Sequence, residues 1–281
     1  MLPSPPSTAV PGAVNGRRVA EGLTVFGSDG APPVVLVHGI RLSATMWRPH
    51  VRRLVPDFRV GTPDLPCHGA LAGRSFTLEA AVDAVRGAVR EAYGATGRRP
   101  LLLGLSLGGY VSLAHTVRYP GDVAGVVLHG CTARTSGASA AVYAAAGRLN
   151  DRLGPERSAR LQERAMRRML PAESAEAVLA GGFHLPALTE GVTELRRHDF
   201  LALAGRLAVP TLYLNGRSDL PFRADERYFL AATRAAGTPA RLFHTRGGHL
   251  LSLTDPDRFT ALVRRAHHLL TAGNDLDPQG D

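Results

Sequence analysis

Lysine is missing from this chain: all 33 residues of the Lys+Arg total are arginine. That excludes a lysine Schiff base, a lysine general base and the lysine of a phosphate-binding loop, whatever the fold. Cysteine is nearly missing too, and Cys67 and Cys131 alone cannot build a disulfide framework. HExxH, CxxC and EF-hand patterns do not occur, so neither a metal nor an organic cofactor is expected. No run approaches the roughly 18–20 apolar residues that span a bilayer. The proline- and serine-rich start lacks an apolar core of signal-peptide length, and the expectation is a soluble, cytoplasmic protein without a membrane partner.

What is present describes a globular protein. The 281 residues are 44% hydrophobic and 20% charged, enough to bury a large core. A formal charge of +9 would suit a polyanion. The arginines are scattered, however, with no aromatic-rich RNA motif or zinc-finger spacing, so no nucleic-acid partner is expected.

Strand-like runs alternate with helical patterns, which predicts a mainly parallel sheet covered by helices. Strand material is expected within Arg18–Phe26, then in PVVLVHG (33–39), FRVGTPDL (58–65), PLLLGLS (100–106), VAGVVLHG (123–130), TLYLNG (211–216) and ARLFHT (240–245). Leu78, Val82, Val85, Val89 and Tyr93 share a helical face, with Thr77 as N-cap and Gly94 as the stop. Asp255 and Pro256 open a last helix whose buried stripe is Phe259, Leu262, Val263, Ala266 and Leu270. Adjacent His267 and His268 on that helix are expected at the surface.

From Thr132 to Leu207 the alternation stops, and only helical or loop patterns remain. There, Arg157, Arg160, Arg164, Arg167 and Arg168 form a basic face and Leu161, Ala165 and Met169 an apolar one. The expected organisation is an N-terminal disordered arm (1–16), a core (17–131 and 208–272), a helical cap (132–207) and a flexible tail (273–281).

The strongest chemical signal is Gly104-Leu105-Ser106-Leu107-Gly108, with leucines before it and a helical pattern after it. A strand that turns abruptly into a helix holds its apex residue in a strained conformation, and glycines let the two elements approach. The Ser106 hydroxyl would then project above the sheet, with the helix N-terminus favouring developing negative charge. The plain alternative is a serine in an ordinary strand-to-helix turn. A serine nucleophile needs a base. Of eleven histidines, His249 follows Gly247-Gly248 in a loop between the last strand and the last helix. His244 falls within a strand pattern. The base needs a carboxylate to hold its tautomer. Asp219, just past TLYLNG, is the candidate; Asp225, expected within the following helix, and Asp199, in the cap, compete with it.

These residues stand in the order nucleophile, acid, base, and here the chain resembles the α/β-hydrolase family, in its esterase, lactonase and haloperoxidase-like branch. The resemblance runs from about Val19 to Leu270. It rests on His38-Gly39, DLPCHG (64–69), GLSLGG (104–109), RLAVPTLYLNGRSD (206–219) and GGHLLSLTDPDRF (247–259). It implies an α/β-hydrolase fold with a mostly parallel, eight-stranded type of sheet and a helical cap after the sixth strand. It further implies an oxyanion hole from the backbone N–H groups of Ile40 and Leu107. Cys67 stands where relatives more often carry glycine, and a small buried thiol is expected there. Arg41 and Trp47, close to the oxyanion position, are expected in the substrate pocket, with Arg41 able to meet a carboxylate.

The expected reaction is transfer of a small acyl group from an ester or lactone to water through Ser106, His249 and Asp219. The same triad also serves carbon–carbon bond hydrolysis, cyclisation, acyl transfer to another acceptor or peracid formation, and a non-catalytic small-molecule receptor keeps the fold as well. Substrate identity and oligomeric state stay open.

Overall fold

The computed structural model describes residues 15–136, 152 and 154–271. The expected arm, apart from Asn15 and Gly16, and the expected tail lie outside the described residues, as does part of the expected cap. Eight strands form one sheet: β1 (Arg17–Ala20), β2 (Leu23–Phe26), β3 (Pro33–Val37), β4 (Arg59–Pro63), β5 (Leu101–Leu105), β6 (Gly125–His129), β7 (Thr211–Gly216) and β8 (Ala240–Thr245). Their spatial order is β1-β2-β4-β3-β5-β6-β7-β8. The β1–β2 and β2–β4 pairs are antiparallel, and all others are parallel.

The central strands β3, β5, β6 and β7 are buried at every position, as their largely apolar character requires when helices cover both faces. Alternate residues feed two cores. Val35, Val37, Leu102, Val126 and Leu128 pack with helices α2 (Leu78–Thr96) and α3 (Leu107–Arg118). Val34, Leu36, Leu101 and Leu103 pack with α1 (Arg48–Leu54) and with the C-terminal helix Pro256–Thr271. The chain builds outward in opposite directions from β3 and β5, so the crevice beyond the carboxyl ends of these two strands is the topological switch point. His38-Gly39 after β3 and residues 104–108 at the end of β5 both lie there.

Among the described residues, four helices lie in the interval between β6 and β7: α4 (Pro155–Met169), α5 (Ala172–Gly181), α6 (Pro186–Leu195) and α7 (Phe200–Ala204). They are followed, around β8, by α8 (Leu220–Arg223), α9 (Glu226–Ala235), α10 (Leu251–Thr254) and α11, the C-terminal helix already given. The interval is not a separate layer throughout. Phe200, Ala204 and Leu207 belong to one core and Leu170, Ala175 and Val178 to the other.

Several expectations need correction. Helix α2 passes through Gly94 and ends at Gly97, which takes the left-handed conformation (φ 67°) and donates its N–H to Tyr93 O at 2.7 Å. Tyr93 is 52% exposed, so it does not share the buried face. On α4 the face of Leu161, Ala165 and Met169 points outward; Ser158 is buried and Met166 packs on the core instead. His267 is half-buried, its ring 4.9 Å from that of Phe58. Arg59 departs from the surface reading of the arginines: its side chain is 1% exposed and paired with both Asp29 and Glu91.

Trp47, expected in the pocket, is wholly buried; its ring stacks on Phe259 at 5.9 Å and meets His50 edge-on at 5.0 Å. An indole between α1 and α11 joins the second core because those helices close around it. Trp47→Ala is therefore expected to destabilise the protein by about 3–5 kcal/mol in urea unfolding followed by circular dichroism. Tyr93→Ala should change it by less than about 0.5 kcal/mol.

Candidate active site

Ser106 stands at the β5–α3 junction with φ 53° and ψ −114°, one of three described non-glycine residues at positive φ. The strain persists because the surroundings over-determine it. The Ser106 N–H donates to His129 O at 2.7 Å, and Ser106 O accepts from Tyr110 N–H at 3.1 Å, opening α3. A Cβ on Gly104 would fall 2.1 Å from Gly108 O, and one on Gly108 would fall 2.5 Å from His38 O. Glycine at both places is a steric requirement of bringing β3, β5 and α3 this close.

The loop after β8 carries His249 into the same crevice. Gly216 makes room for it, since a Cβ there would meet Gly247 O at 2.4 Å. Gly130, at the end of β6, makes room for the ring itself; its Cβ would lie 3.0 Å from His249 Cε1. His249 Nε2 is 3.0 Å from Ser106 Oγ, and Nδ1 is 2.8 Å from Asp219 Oδ2. An ionised carboxylate only accepts, so the proton sits on Nδ1 and Nε2 is left to accept from the serine. Phe222 stacks on the imidazole, with centroids 4.3 Å apart and planes at 15°. Asp219 is 3% exposed and His249 30%, which opens the imidazole toward the crevice while the carboxylate stays dry.

The competing groups are occupied elsewhere. Asp199 caps α7 through Ala202 N–H (3.0 Å), Asp225 accepts from Arg134 N–H (3.1 Å), and His244 pairs with Glu226 (2.9 Å). Asp225 stands just before α9 rather than within it.

A cleft of about 510 Å³, open to solvent, lies above Ser106. Ile40, Leu107, Tyr110, Val192, Leu195 and Phe222 make it apolar; Arg134 and Arg196 bring the charge, and among the described residues no carboxylate lines it. Leu107 is the first residue of α3, so its N–H has no acceptor within the helix. Arg41 is absent from the lining. It takes the left-handed conformation (φ 66°) in the turn after β3, with burial lowering the pKa of its guanidinium. Sequence reasoning missed Gly130, Phe222, Tyr110, Arg134, Val192, Leu195 and Arg196. Phe222, three residues past Asp219, was within reach of a positional argument; the others come from segments far apart in the chain.

Among the described residues no group of three or more His, Cys, Asp or Glu is placed to hold a metal ion, and no helix is long and apolar enough to cross a membrane.

Residues 34–262 match the model of a family described as the alpha/beta hydrolase family. A pimeloyl-[acyl-carrier protein] methyl ester esterase of Aromatoleum aromaticum is 37% identical over 99 residues, which are 35% of this chain and 37% of that protein. The protein of the same name from Xanthomonas axonopodis pv. citri is 28% identical over 248 residues, covering 83% of this chain and 94% of its own. Among solved structures, a thermophilic esterase from Thermogutta terrifontis superposes with a TM-score of 0.69 at 25% identity, covering 94% of this chain and 97% of that one.

Neither cysteine is built to react. Cys67 is buried, and burial together with the nearby Glu190 carboxylate pushes its thiol up to about 11; Cys131 is fully enclosed and is raised by burial as well. At pH 8 roughly one Cys67 in a thousand would be thiolate. Iodoacetamide at that pH is expected to leave both thiols unmodified in the folded protein and to alkylate both after denaturation, as read by intact mass.

Proposed function

This chain belongs to the alpha/beta hydrolase family, and from that membership we propose that it is a serine hydrolase cleaving a small carboxylic ester or lactone through an acyl-enzyme. The observation that carries the reading is the relay from Asp219 through His249 to Ser106, with contacts of 2.8 and 3.0 Å. The esterases among its relatives favour an ester over a carbon–carbon bond as the target.

In the proposed cycle His249 takes the proton of Ser106 as the hydroxyl oxygen attacks the carbonyl carbon. Asp219 holds the imidazole in the required tautomer and stabilises the imidazolium that forms. The carbonyl oxygen becomes an oxyanion, met by the backbone N–H groups of Ile40 and Leu107. Such a donor contributes about 3–4 kcal/mol where the charge develops in a dry site. His249 then protonates the leaving alcohol, and water repeats the sequence to release the acid. Residues 132–207 act in this reading as a cap over a core of 17–131 and 208–272.

The cleft bears on the acyl group. Its apolar walls suit a short carbon chain, and the guanidiniums of Arg196 and of Arg134, the latter also 3.5 Å from the Asp225 carboxylate, favour a chain that ends in an anion. Both guanidiniums are largely in water, so each contact is worth about 1 kcal/mol and weakens with salt.

Two measurements test this. A fluorophosphonate should modify the protein stoichiometrically at Ser106; Ser106→Ala should abolish labelling, and His249→Ala should slow it by at least about 10³-fold. Labelling elsewhere, or ester turnover by Ser106→Ala equal to wild type, would defeat the reading, and a wild type that neither labels nor turns over esters would leave a receptor in its place. Separately, the wild type should prefer a p-nitrophenyl hemi-ester of a dicarboxylic acid to a neutral ester of equal length. Replacing Arg134 and Arg196 with Gln together should erase about tenfold of that preference while sparing the neutral ester.

A further inference from the structure

Three imidazoles outside the triad gather beneath the oxyanion turn, and each is used in the same way. His38 Nε2 accepts the Leu65 N–H at 3.0 Å, His68 Nε2 accepts the Arg41 N–H at 3.1 Å, and His184 Nε2 accepts the Gly69 N–H at 2.9 Å. The opposite nitrogen of His38 donates to Gly39 O and that of His68 to Pro66 O, and the Gly181 carbonyl stands beside the ring of His184, where it opposes the effect of burial on its pKa. An amide N–H can only donate, so all three rings are neutral with the proton on Nδ1. Burial lowers the pKa of each, opposed at His184 and His68 by the Asp64 carboxylate.

His184 differs from the other two in where it comes from. His38 and His68 belong to the core loops they hold, whereas His184 lies between α5 and α6, in the segment proposed as the cap. It grips both loops at once. Its ring takes the Gly69 N–H, and its own backbone N–H donates to Arg41 O at 3.1 Å. With His68 on the N–H and His184 on the carbonyl, Arg41 is held from both sides in its left-handed conformation. That residue directly follows Ile40.

The surrounding contacts repeat the theme. A Cβ on Gly191 of α6 would sit 3.0 Å from Ile40 Cδ1, and one on Gly181 would sit 2.1 Å from Ser43 Oγ. Asp64 bridges the two core loops, accepting from Ala44 N–H (2.8 Å) and Ala70 N–H (2.9 Å). The cap segment therefore rests directly on the turn that presents the Ile40 amide.

We propose that His184 is a positioning residue which latches the cap to the oxyanion turn, so that the Ile40 N–H is correctly aimed only while the cap is seated. The proposal rests on the serine-hydrolase reading above for its catalytic consequence; the latch itself is a structural claim and is measured separately. Because the oxyanion donor acts on charge that develops only in the transition state, loosening it lowers kcat and leaves the KM of a short neutral ester nearly unchanged.

His184→Gln and His184→Asn separate the latch from general packing. The Gln carboxamide reaches the position of Nε2 and can still accept from Gly69. The shorter Asn reaches only the position of Nδ1, near the Gly181 carbonyl, and offers Gly69 no acceptor. Expected for His184→Asn is a fall in kcat of about tenfold or more with KM within about twofold, together with faster amide hydrogen exchange across 39–47 and 64–72. His184→Gln should recover kcat to within about threefold and restore the exchange pattern. Wild-type kcat in His184→Asn, an equal loss in both variants, or exchange unchanged in those two segments would each overturn the proposal. If His184→Asn does not fold, His184→Phe, which keeps the ring but offers no acceptor, takes its place under the same criteria. A wild type that neither hydrolyses esters nor labels at Ser106 would sink the hydrolase reading instead, while hydrogen exchange still reports on the latch.

Discussion

The site depends on a close approach that side chains would forbid. Strands β3 and β5 and the start of α3 converge so tightly at the switch point that Gly104 and Gly108 have no room for a Cβ. That convergence forces Ser106 into its left-handed conformation and lifts its hydroxyl out of the sheet. It also sets the first amide of α3 beside the turn after β3, which brings Leu107 and Ile40 to the walls of one cleft. Without it, the serine would be one more helix-cap residue.

The same economy of space recurs on the other side of the crevice. Gly216 and Gly130 leave the gap through which the loop after β8 carries His249 down to Asp219 and Ser106. Polar atoms brought into so crowded a place must find partners, because an unmatched buried polar group costs about 1–3 kcal/mol. The neutral histidines answer that need. An imidazole can accept at one nitrogen and donate at the other, which suits it to tie one loop amide to one loop carbonyl. His38, His68 and His184 do this around the proposed oxyanion turn, and His249 does it between the proposed nucleophile and acid.

Much of this was legible in the chain. The apolar runs gave β3, β5 and β6 nearly to the residue, since burial on both faces favours apolar side chains there, and β4, β7 and β8 were found despite polar positions such as Arg59, Asn215 and Arg241. Thr77 and Asp255 announced their helices because a side-chain acceptor just ahead of an apolar pattern meets a real need of the first turn, and both cap as expected. Errors fell where local pattern and packing disagree. Gly94 resembled a stop, but the next turn still had contacts to make, and Gly97 supplied the positive φ. Leu161, Ala165 and Met169 marked an apolar face that the described core does not cover. Trp47 resembled a pocket residue by proximity in sequence, yet a large ring beside two closing helices gains more from burial.

The sequence by itself determined the sheet, the glycine-bracketed serine and the order of serine, aspartate and histidine. These are consequences of hydrophobic period and of backbone conformations that only particular residues tolerate. Tertiary structure alone decided what lines the cleft, which of the eleven histidines serve the backbone, and that residues 181–191 rest on the proposed oxyanion turn. Those facts join residues more than a hundred positions apart, such as Gly69 and His184. No local pattern encodes such a contact, because its energy exists only once the loops have been brought together.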